Sequence, residues 1–249
     1  MIAPERAISV FGVRLARLSP RAALAEAEHL YDAPESSYIA YANVHTLNLA
    51  SGDDLYRRAL EDAAMVLNDG KGVMLAARIK RDRFPADLNG NFFTPLLLAL
   101  AAERDWPVYF LGAKPGVADR ALERIVQRLP RLRTVGVRDG YFDPGDESVA
   151  AAVRSAGTGL LLVGLGNPAQ EIWIQANLDD TGARLAVGVG AFFDFQAGQV
   201  PRAPEWMNRV GIEWVHRLAQ EPQRMWRRYL LGNPRFLALV AAEELKTRR

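Results

Sequence analysis

The residues most suited to chemistry are amides and carboxylates that follow short apolar runs. Asn68-Asp-Gly-Lys-Gly72 comes directly after Met65–Leu67. An aspartate at a strand tip, with glycines opening a helix behind it, can sit close to a substrate and accept a proton from an attacking hydroxyl. The bland alternative for Asp69 is a helix N-cap, and local sequence by itself leans that way. Asn43 ends an earlier apolar run and is a candidate for the same crevice. His45 follows it. A lone histidine at such a place is more often structural, and with only His29 and His216 elsewhere no metal cluster is expected. No Ser-His-Asp constellation is evident.

Three further turns are rich in glycine and polar groups: Gly112-Ala-Lys-Pro-Gly116, Gly164-Leu-Gly-Asn-Pro-Ala-Gln170 and Gly188-Val-Gly-Ala-Phe-Phe-Asp194. Glycine lets a backbone approach a phosphate closely, and a helix N-terminus presents free N–H donors to it. The set suits a nucleotide or nucleotide-sugar, although any one of the three reads equally well as an ordinary tight turn. The second formally matches G-x-G-x-x-A, so a nucleotide-dependent oxidoreductase is a rival. That rival needs an acid at the tip of the next strand. The next strand ends Gly188-Val-Gly-Ala191, with no acid there.

Such turns must be held by strands and helices. Strands are expected at Tyr38–Ala42, Met65–Leu67, Val108–Leu111, Thr134–Val137, Leu160–Gly164 and Ala186–Gly190. Helices are expected at Pro20–Tyr31, Asp53–Ala63, Gly72–Ile79, Phe92–Arg104, Gly116–Arg128, Glu147–Ser155 and Pro168–Asn177. Alternation of this kind predicts an α/β fold, with a Rossmann-like, mostly parallel sheet flanked by helices. In open α/β sheets ligands bind where strands end and helices begin, which is where the polar turns fall. The division expected is a catalytic domain over residues 1–200 and a helical appendage over 201–249. In the appendage, helical pieces are separated at Pro222 and at Gly232-Asn-Pro234.

Composition narrows the function classes. The chain has 249 residues, 49% of them apolar, enough for a sizeable core. It has no cysteine, which removes disulfides, thiol catalysis and cysteine-bound metals and is compatible with a reducing cytoplasm. Glu5, Arg6, Arg14 and Arg17 interrupt the apolar residues of the N-terminus, unlike a signal peptide. No apolar run approaches the ~20 residues needed to span a bilayer.

The net charge of +2 conceals an asymmetry. From Arg202 onward there are 10 basic and 5 acidic residues, a net of +5; the first 201 residues carry 21 and 24, a net of −3. In a helix starting near Pro222, Arg224, Arg227, Arg228 and Leu231 would share one face, with Trp226, Tyr229 and Leu230 on another side. Arginine binds phosphate with a permanent charge, and Trp and Tyr favour the lipid–water boundary. A monotopic membrane segment fits this pattern. A solvated surface helix and a nucleic-acid patch are the alternatives, and no recognised nucleic-acid motif accompanies the charge.

Taken in order, Gly164-Leu-Gly-Asn-Pro-Ala-Gln-Glu-Ile-Trp-Ile174, Gly188-Val-Gly-Ala-Phe-Phe-Asp194, Gly198-Gln-Val-Pro-Arg-Ala-Pro-Glu-Trp206, Gly211-Ile-Glu-Trp214, Arg217-Leu-Ala-Gln-Glu-Pro-Gln-Arg224 and Arg227-Arg-Tyr-Leu-Leu-Gly-Asn-Pro234 resemble the WecG/TagA/CpsF glycosyltransferases. Asp69-Gly-Lys-Gly72, Leu111-Gly-Ala-Lys-Pro115 and Phe11-Gly-Val13 fit the same family. The resemblance implies an inverting, metal-independent hexosyltransferase. It would move a sugar from a UDP-sugar to a polyprenyl-diphosphate-linked saccharide during cell-surface polysaccharide synthesis. It would work on the cytoplasmic face of a bacterial plasma membrane as a peripheral protein, without nucleic acid; homo-oligomerisation stays open. It implies Asp69 as the base. Tyr41, Asn43, Gly112, Gly166, Asn167, Gln170 and Asp194 would contact substrate, and Arg217, Arg224, Arg227 and Arg228 would meet the lipid diphosphate or membrane. Two positions depart from the family pattern: Tyr41, where threonine is frequent, and Gly90-Asn91-Phe92, where Gly-Ser/Thr-Asp is frequent. Both bear on sugar specificity. A non-catalytic basic membrane scaffold is the remaining alternative.

Overall fold

The computed structural model describes residues 3–200, 207, 213–220 and 222–247. The strands are β1 (Ala7–Val10), β2 (Val13–Ala16), β3 (Ser37–Ala42), β4 (Met65–Asn68), β5 (Val108–Gly112), β6 (Thr134–Arg138), β7 (Leu160–Gly164) and β8 (Leu185–Gly188). They form one sheet in the order β1-β2-β4-β3-β8-β7-β5-β6. Every pairing is parallel except the β1–β2 hairpin at one edge.

The central strands are apolar throughout because both sheet faces are covered. Along β3, Ile39 and Tyr41 enter one core while Tyr38, Ala40 and Ala42 enter the other. The first core is closed by α1 (Pro20–Asp32), α5 (Gly90–Glu103), α6 (Val117–Arg128) and α9 (Phe192–Gln196). The second is closed by α2 (Val44–Ala50), α3 (Asp54–Glu61), α4 (Lys71–Ile79), α7 (Glu147–Ser155) and α8 (Ala169–Thr181). Helices leaving β5 and β8 therefore turn to one face, and those leaving β3, β4 and β7 to the other. In sheets of this kind the strand ends between helices that part to opposite faces form the ligand crevice.

The expected Rossmann-like α/β sheet is present, with three local differences. The β1–β2 hairpin was not expected, because its strands are four residues long and interrupted by Arg14 and Ser9. The helices α2 and α9 were also not expected; at seven and five residues they carry too few turns to show a period. The last strand stops at Gly188 and not at Gly190, since Gly190 adopts φ +56 and leaves the sheet.

Beyond Val200 the described segments are helical: α10 (Glu213–Gln220), α11 (Pro222–Trp226), a π-helical turn over Arg227–Leu231 and α12 (Gly232–Thr247). Gly232-Asn-Pro234 does not open a gap; the π turn runs into α12 through it, with Gly232 N–H donating to the Arg227 carbonyl. The expected face of arginines assumed a continuous α-helix from Pro222. The π turn breaks that period between Arg224 and Leu231, so the i, i+3, i+4, i+7 stripe is not continuous. Phe236 and Val240 of α12 are fully buried in the second core.

Candidate active site

Asn43 and Asp69 each lie one residue past the end of a strand, and the register pairs Ala42 with Asn68 just before them. Adjacent strand ends thus deliver both side chains to one place. The Asn43 Nδ2 donates to Asp69 Oδ2 at 3.0 Å. Asn43 is itself fixed as the N-cap of α2: its Oδ1 accepts from the His45 and Thr46 backbone N–H groups at 3.0 and 3.1 Å, and from Thr46 Oγ1 at 3.3 Å. The amide therefore has no freedom to flip, and its NH2 end is committed to the carboxylate.

The N-cap reading of Asp69 does not hold. Gly70, at φ +92, is the N-cap of α4, which has no side-chain cap. That backbone angle needs glycine, and it swings the chain away so that the carboxylate stays at the strand end. The turn is held from outside: Gly70 N–H donates to Asp87 Oδ1 at 3.0 Å, and Lys71 Nζ lies 3.7 Å from Asp87 Oδ2.

Tyr41 points into the core below this pair, and its hydroxyl is 2.9 Å from Thr94 Oγ1 of α5. Burial pushes its phenol pKa well up; the Thr94 bond opposes this and the Asp69 charge adds to it. Tyr41 is therefore a neutral floor to the site. Its ring also lies under Gly90, and the neighbouring Phe92 is exposed at the start of α5.

On the other side of the crevice, Gly112 pairs with Gly164 across β5 and β7. A Cβ at Gly112 would come within 2.5 Å of the Gly164 backbone, so glycine is required by the chain approach itself. Gly166 (φ +79) follows, and its carbonyl accepts from Gln170 N–H at 2.9 Å. Gln170 is buried. Its Oε1 accepts from Gly190 N–H at 2.9 Å and its Nε2 donates to Glu171 Oε1 at 2.7 Å. Asn167 Nδ2 donates to the same Glu171 oxygen at 2.8 Å. Gln170 thus ties the start of α8 to the β8 loop, Asn167 is held to Glu171, and neither hangs free in the crevice. Asp194, half-buried in the first turn of α9, belongs to the same end of the sheet.

Glu171 escaped the sequence reading. It is completely buried, and burial pushes its carboxyl up to about 7 against hydrogen bonds from Gln170 and Asn167 that pull the other way. Two polar residues opening a helix normally face water. Here Gly188 makes the room, since a Cβ there would lie 2.9 Å from Gln170 Nε2 and 3.3 Å from Glu171 Oε1.

Of the basic residues expected to meet lipid diphosphate, Arg227 is exposed and stacks over Trp226, 5.3 Å from the ring centroid. The side chains of Arg217, Arg224 and Arg228 lie outside the described ones, as do motif residues 201–206, 211 and 212. The π turn ends against α2, where Asn48 Nδ2 donates to the Gly232 carbonyl at 2.9 Å. Asn48 is five residues along the helix that Asn43 caps, roughly 7.5 Å at 1.5 Å per residue. The C-terminal end of the basic segment is therefore anchored to α2, the helix that Asn43 caps. No helix among the described residues is long and apolar enough to cross a membrane, and no group of three or more His, Cys, Asp or Glu among them could hold a metal.

The glycosyl transferase WecG/TagA/CpsF family model matches residues 8–249. The chain belongs to the WecG/TagA/CpsF family of glycosyltransferases. Among its relatives is a protein of Bacillus subtilis (strain 168), 30% identical over 218 residues, covering 87% of this chain and 84% of the relative. It is named N-acetylglucosaminyldiphosphoundecaprenol N-acetyl-beta-D-mannosaminyltransferase. Proteins with the same name from Bacillus spizizenii (30% identical, covering 86% of this chain and 82% of the relative) and Staphylococcus aureus strain MW2 (27%, covering 85% and 82%) are similar over the same extent. As a hexosyltransferase of this family, the chain is neither the oxidoreductase nor the inert scaffold weighed above.

Proposed function

We propose that this transferase moves a hexosyl or N-acetylhexosaminyl group from a UDP-sugar to a polyprenyl-diphosphate-linked saccharide, with inversion. Asp69 takes the proton from the acceptor hydroxyl as its oxygen attacks C1 of the donor sugar. The bond from C1 to the diphosphate oxygen breaks, and UDP leaves with the electron pair. The observation that carries this reading is the Asn43–Asp69 hydrogen bond at paired strand ends, which aims a half-buried carboxylate into the crevice. The glycine-rich β5 and β7 turns would receive the diphosphate, and the tail arginines would meet its developing charge in place of a metal.

The acceptor class follows from the relatives' names, each of which specifies a diphosphoundecaprenol-linked N-acetylglucosamine. The tail favours work at a membrane surface, which for this chemistry is the cytoplasmic face. Among the described residues, six of the ten exposed large hydrophobics lie in residues 215–245: Val215, Trp226, Leu230, Leu231, Leu239 and Leu245. Exposed apolar groups beside arginine suit a lipid headgroup boundary.

Asp69→Asn tests the assignment. With a panel of UDP-sugars and a short-chain polyprenyl-diphosphate N-acetylglucosamine, it should reduce transfer by a factor on the order of 10² or more while leaving liposome binding unchanged. Transfer at the native rate would remove Asp69 from the mechanism.

A further inference from the structure

The carboxylate at the proposed site is the end of a longer polar chain that runs through the protein. Asp69 takes its hydrogen bond from Asn43, and Asn43 takes one from Thr46, which is fully buried. Next to Thr46 lies the hydroxyl of Tyr56 from α3, also fully buried. That hydroxyl sits beside Thr46, Asn167 and Glu171, yet makes no aligned hydrogen bond to any of them. Beyond it is Glu171, whose Oε1 gathers Asn167 and Gln170 while its Oε2 has no partner. The buried Tyr56 hydroxyl thus lies beside the Glu171 carboxyl, and it and Glu171 Oε2 both lack an aligned partner. Buried polar groups are seldom left without a partner, and two in one cluster call for a physical reason.

We propose that Glu171 is a positioning residue of the transferase, joining the donor-side loops to Asp69 through Tyr56, Thr46 and Asn43. This rests on the reading of Asp69 as the base. Glu171 does two things by geometry. Its Oε1 holds Asn167 and Gln170, and through Gln170 the Gly190 amide, so the β7 and β8 loops keep one spacing. Its carboxyl, next to the Tyr56 hydroxyl, sets the direction of the chain toward Asp69. With a proton on Glu171, the hydrogens run one way: Glu171 to Tyr56, Tyr56 to Thr46, Thr46 to Asn43 Oδ1, and Asn43 Nδ2 to Asp69. With Glu171 ionised, Tyr56 must turn its single hydrogen back to the carboxylate, and Thr46 loses that donor. The titratable groups facing Glu171 are phenols, Tyr56 from α3 and Tyr38 from β3, and no ion pair of Glu171 occurs among the described residues. Burial without a cation favours the protonated arrangement, in line with the raised carboxyl.

Three variants of the full-length protein test this. Glu171→Leu removes both acceptors and should weaken binding of UDP alone, measured by calorimetry, by about tenfold, the equivalent of one buried donor left unpaired. Glu171→Gln can still accept from Asn167 and Gln170 and donate to Tyr56, so it should bind UDP more nearly as the native protein does. It should also abolish whatever part of the pH dependence of thermal stability belongs to Glu171. Tyr56→Phe cuts the chain without touching Asn167 or Gln170. It should lower kcat and shift the pH–rate profile while leaving UDP affinity in place. If Glu171→Leu does not fold, the other two variants carry the test. Native UDP affinity in Glu171→Leu, a native pH–stability curve in Glu171→Gln, or native kcat and pH profile in Tyr56→Phe would each overturn the proposal. The UDP and stability measurements need no turnover, so an active Asp69→Asn enzyme would sink the base assignment without altering them.

Discussion

Asn43 and Asp69 stand 26 positions apart in the chain and meet at 3.0 Å, side chain to side chain, at the ends of neighbouring parallel strands. The same amide caps α2 through its oxygen. One residue therefore serves the helix with one end and the carboxylate with the other.

These two duties separate by substitution. Asn43→Ala removes both, and should cost about 1 kcal/mol of stability through the lost cap as well as transfer activity. Asn43→Asp keeps a good N-cap but sets a second carboxylate against Asp69. It should retain most of the stability and still lose activity. Thermal denaturation and transfer assays on the pair decide it; equal activity in Asn43→Asp and the native protein would deny the amide a role beyond capping.

Gly188→Ala should act on the opposite wall. Its methyl would meet the Gln170 amide at 2.9 Å and Glu171 Oε1 at 3.3 Å, inside the buried network. Overpacking of this kind costs roughly 1–3 kcal/mol, and displacement of Gln170 should raise the donor KM more than it lowers kcat. A native KM would show that Gln170 can move without consequence.

Phe236→Ala tests whether the terminal helix is part of the folded body. Phe236 is 0% exposed in the second core, so its loss should cost about 3–5 kcal/mol. Leu245 on the same helix is 64% exposed, and Leu245→Ala should stay within about 0.5 kcal/mol of native. Denaturant unfolding of the two variants gives the comparison.

Arg227→Glu addresses the membrane. Arg227 is exposed, and each basic group near an anionic bilayer contributes about 1 kcal/mol. Reversal should weaken binding to anionic vesicles about tenfold or more at low salt, with the difference shrinking as salt is raised. Binding unchanged at low salt would place Arg227 away from the lipid.

The pH dependence of stability has a defined sign. The Glu171 carboxyl is raised by burial from its ordinary 4.5 to about 7, so the folded protein keeps a proton that the unfolded chain releases. Its stabilisation is complete below about pH 4.5, declines as pH rises, and is gone above about pH 7. The thermal midpoint of the native protein should therefore fall across that interval relative to Glu171→Gln. A parallel pair of curves would mean the carboxyl is already ionised throughout.

The sequence by itself determined the parts that depend on local pattern. The central strands are legible as apolar runs because both faces of a parallel sheet are buried, and Asp69 is legible as a candidate because it follows such a run and precedes glycines that open a helix. The excess of arginine after residue 201 is likewise a matter of counting. Tertiary structure alone decided the rest. The β1–β2 hairpin pairs along its own four-residue strands and joins the sheet beside β4 through Leu15 and Val66, a contact no local pattern shows. Whether Asp69 caps a helix or faces a crevice depends on the positive φ of Gly70 and on Asn43, which arrives from another strand. Glu171 reads as a solvent-facing acid until Gly188, seventeen residues later, vacates the space that buries it. Local sequence sets which backbone a segment prefers; the environment of a side chain is set by residues distant in the chain, and both the burial of Glu171 and the docking of Phe236 belong to that second kind.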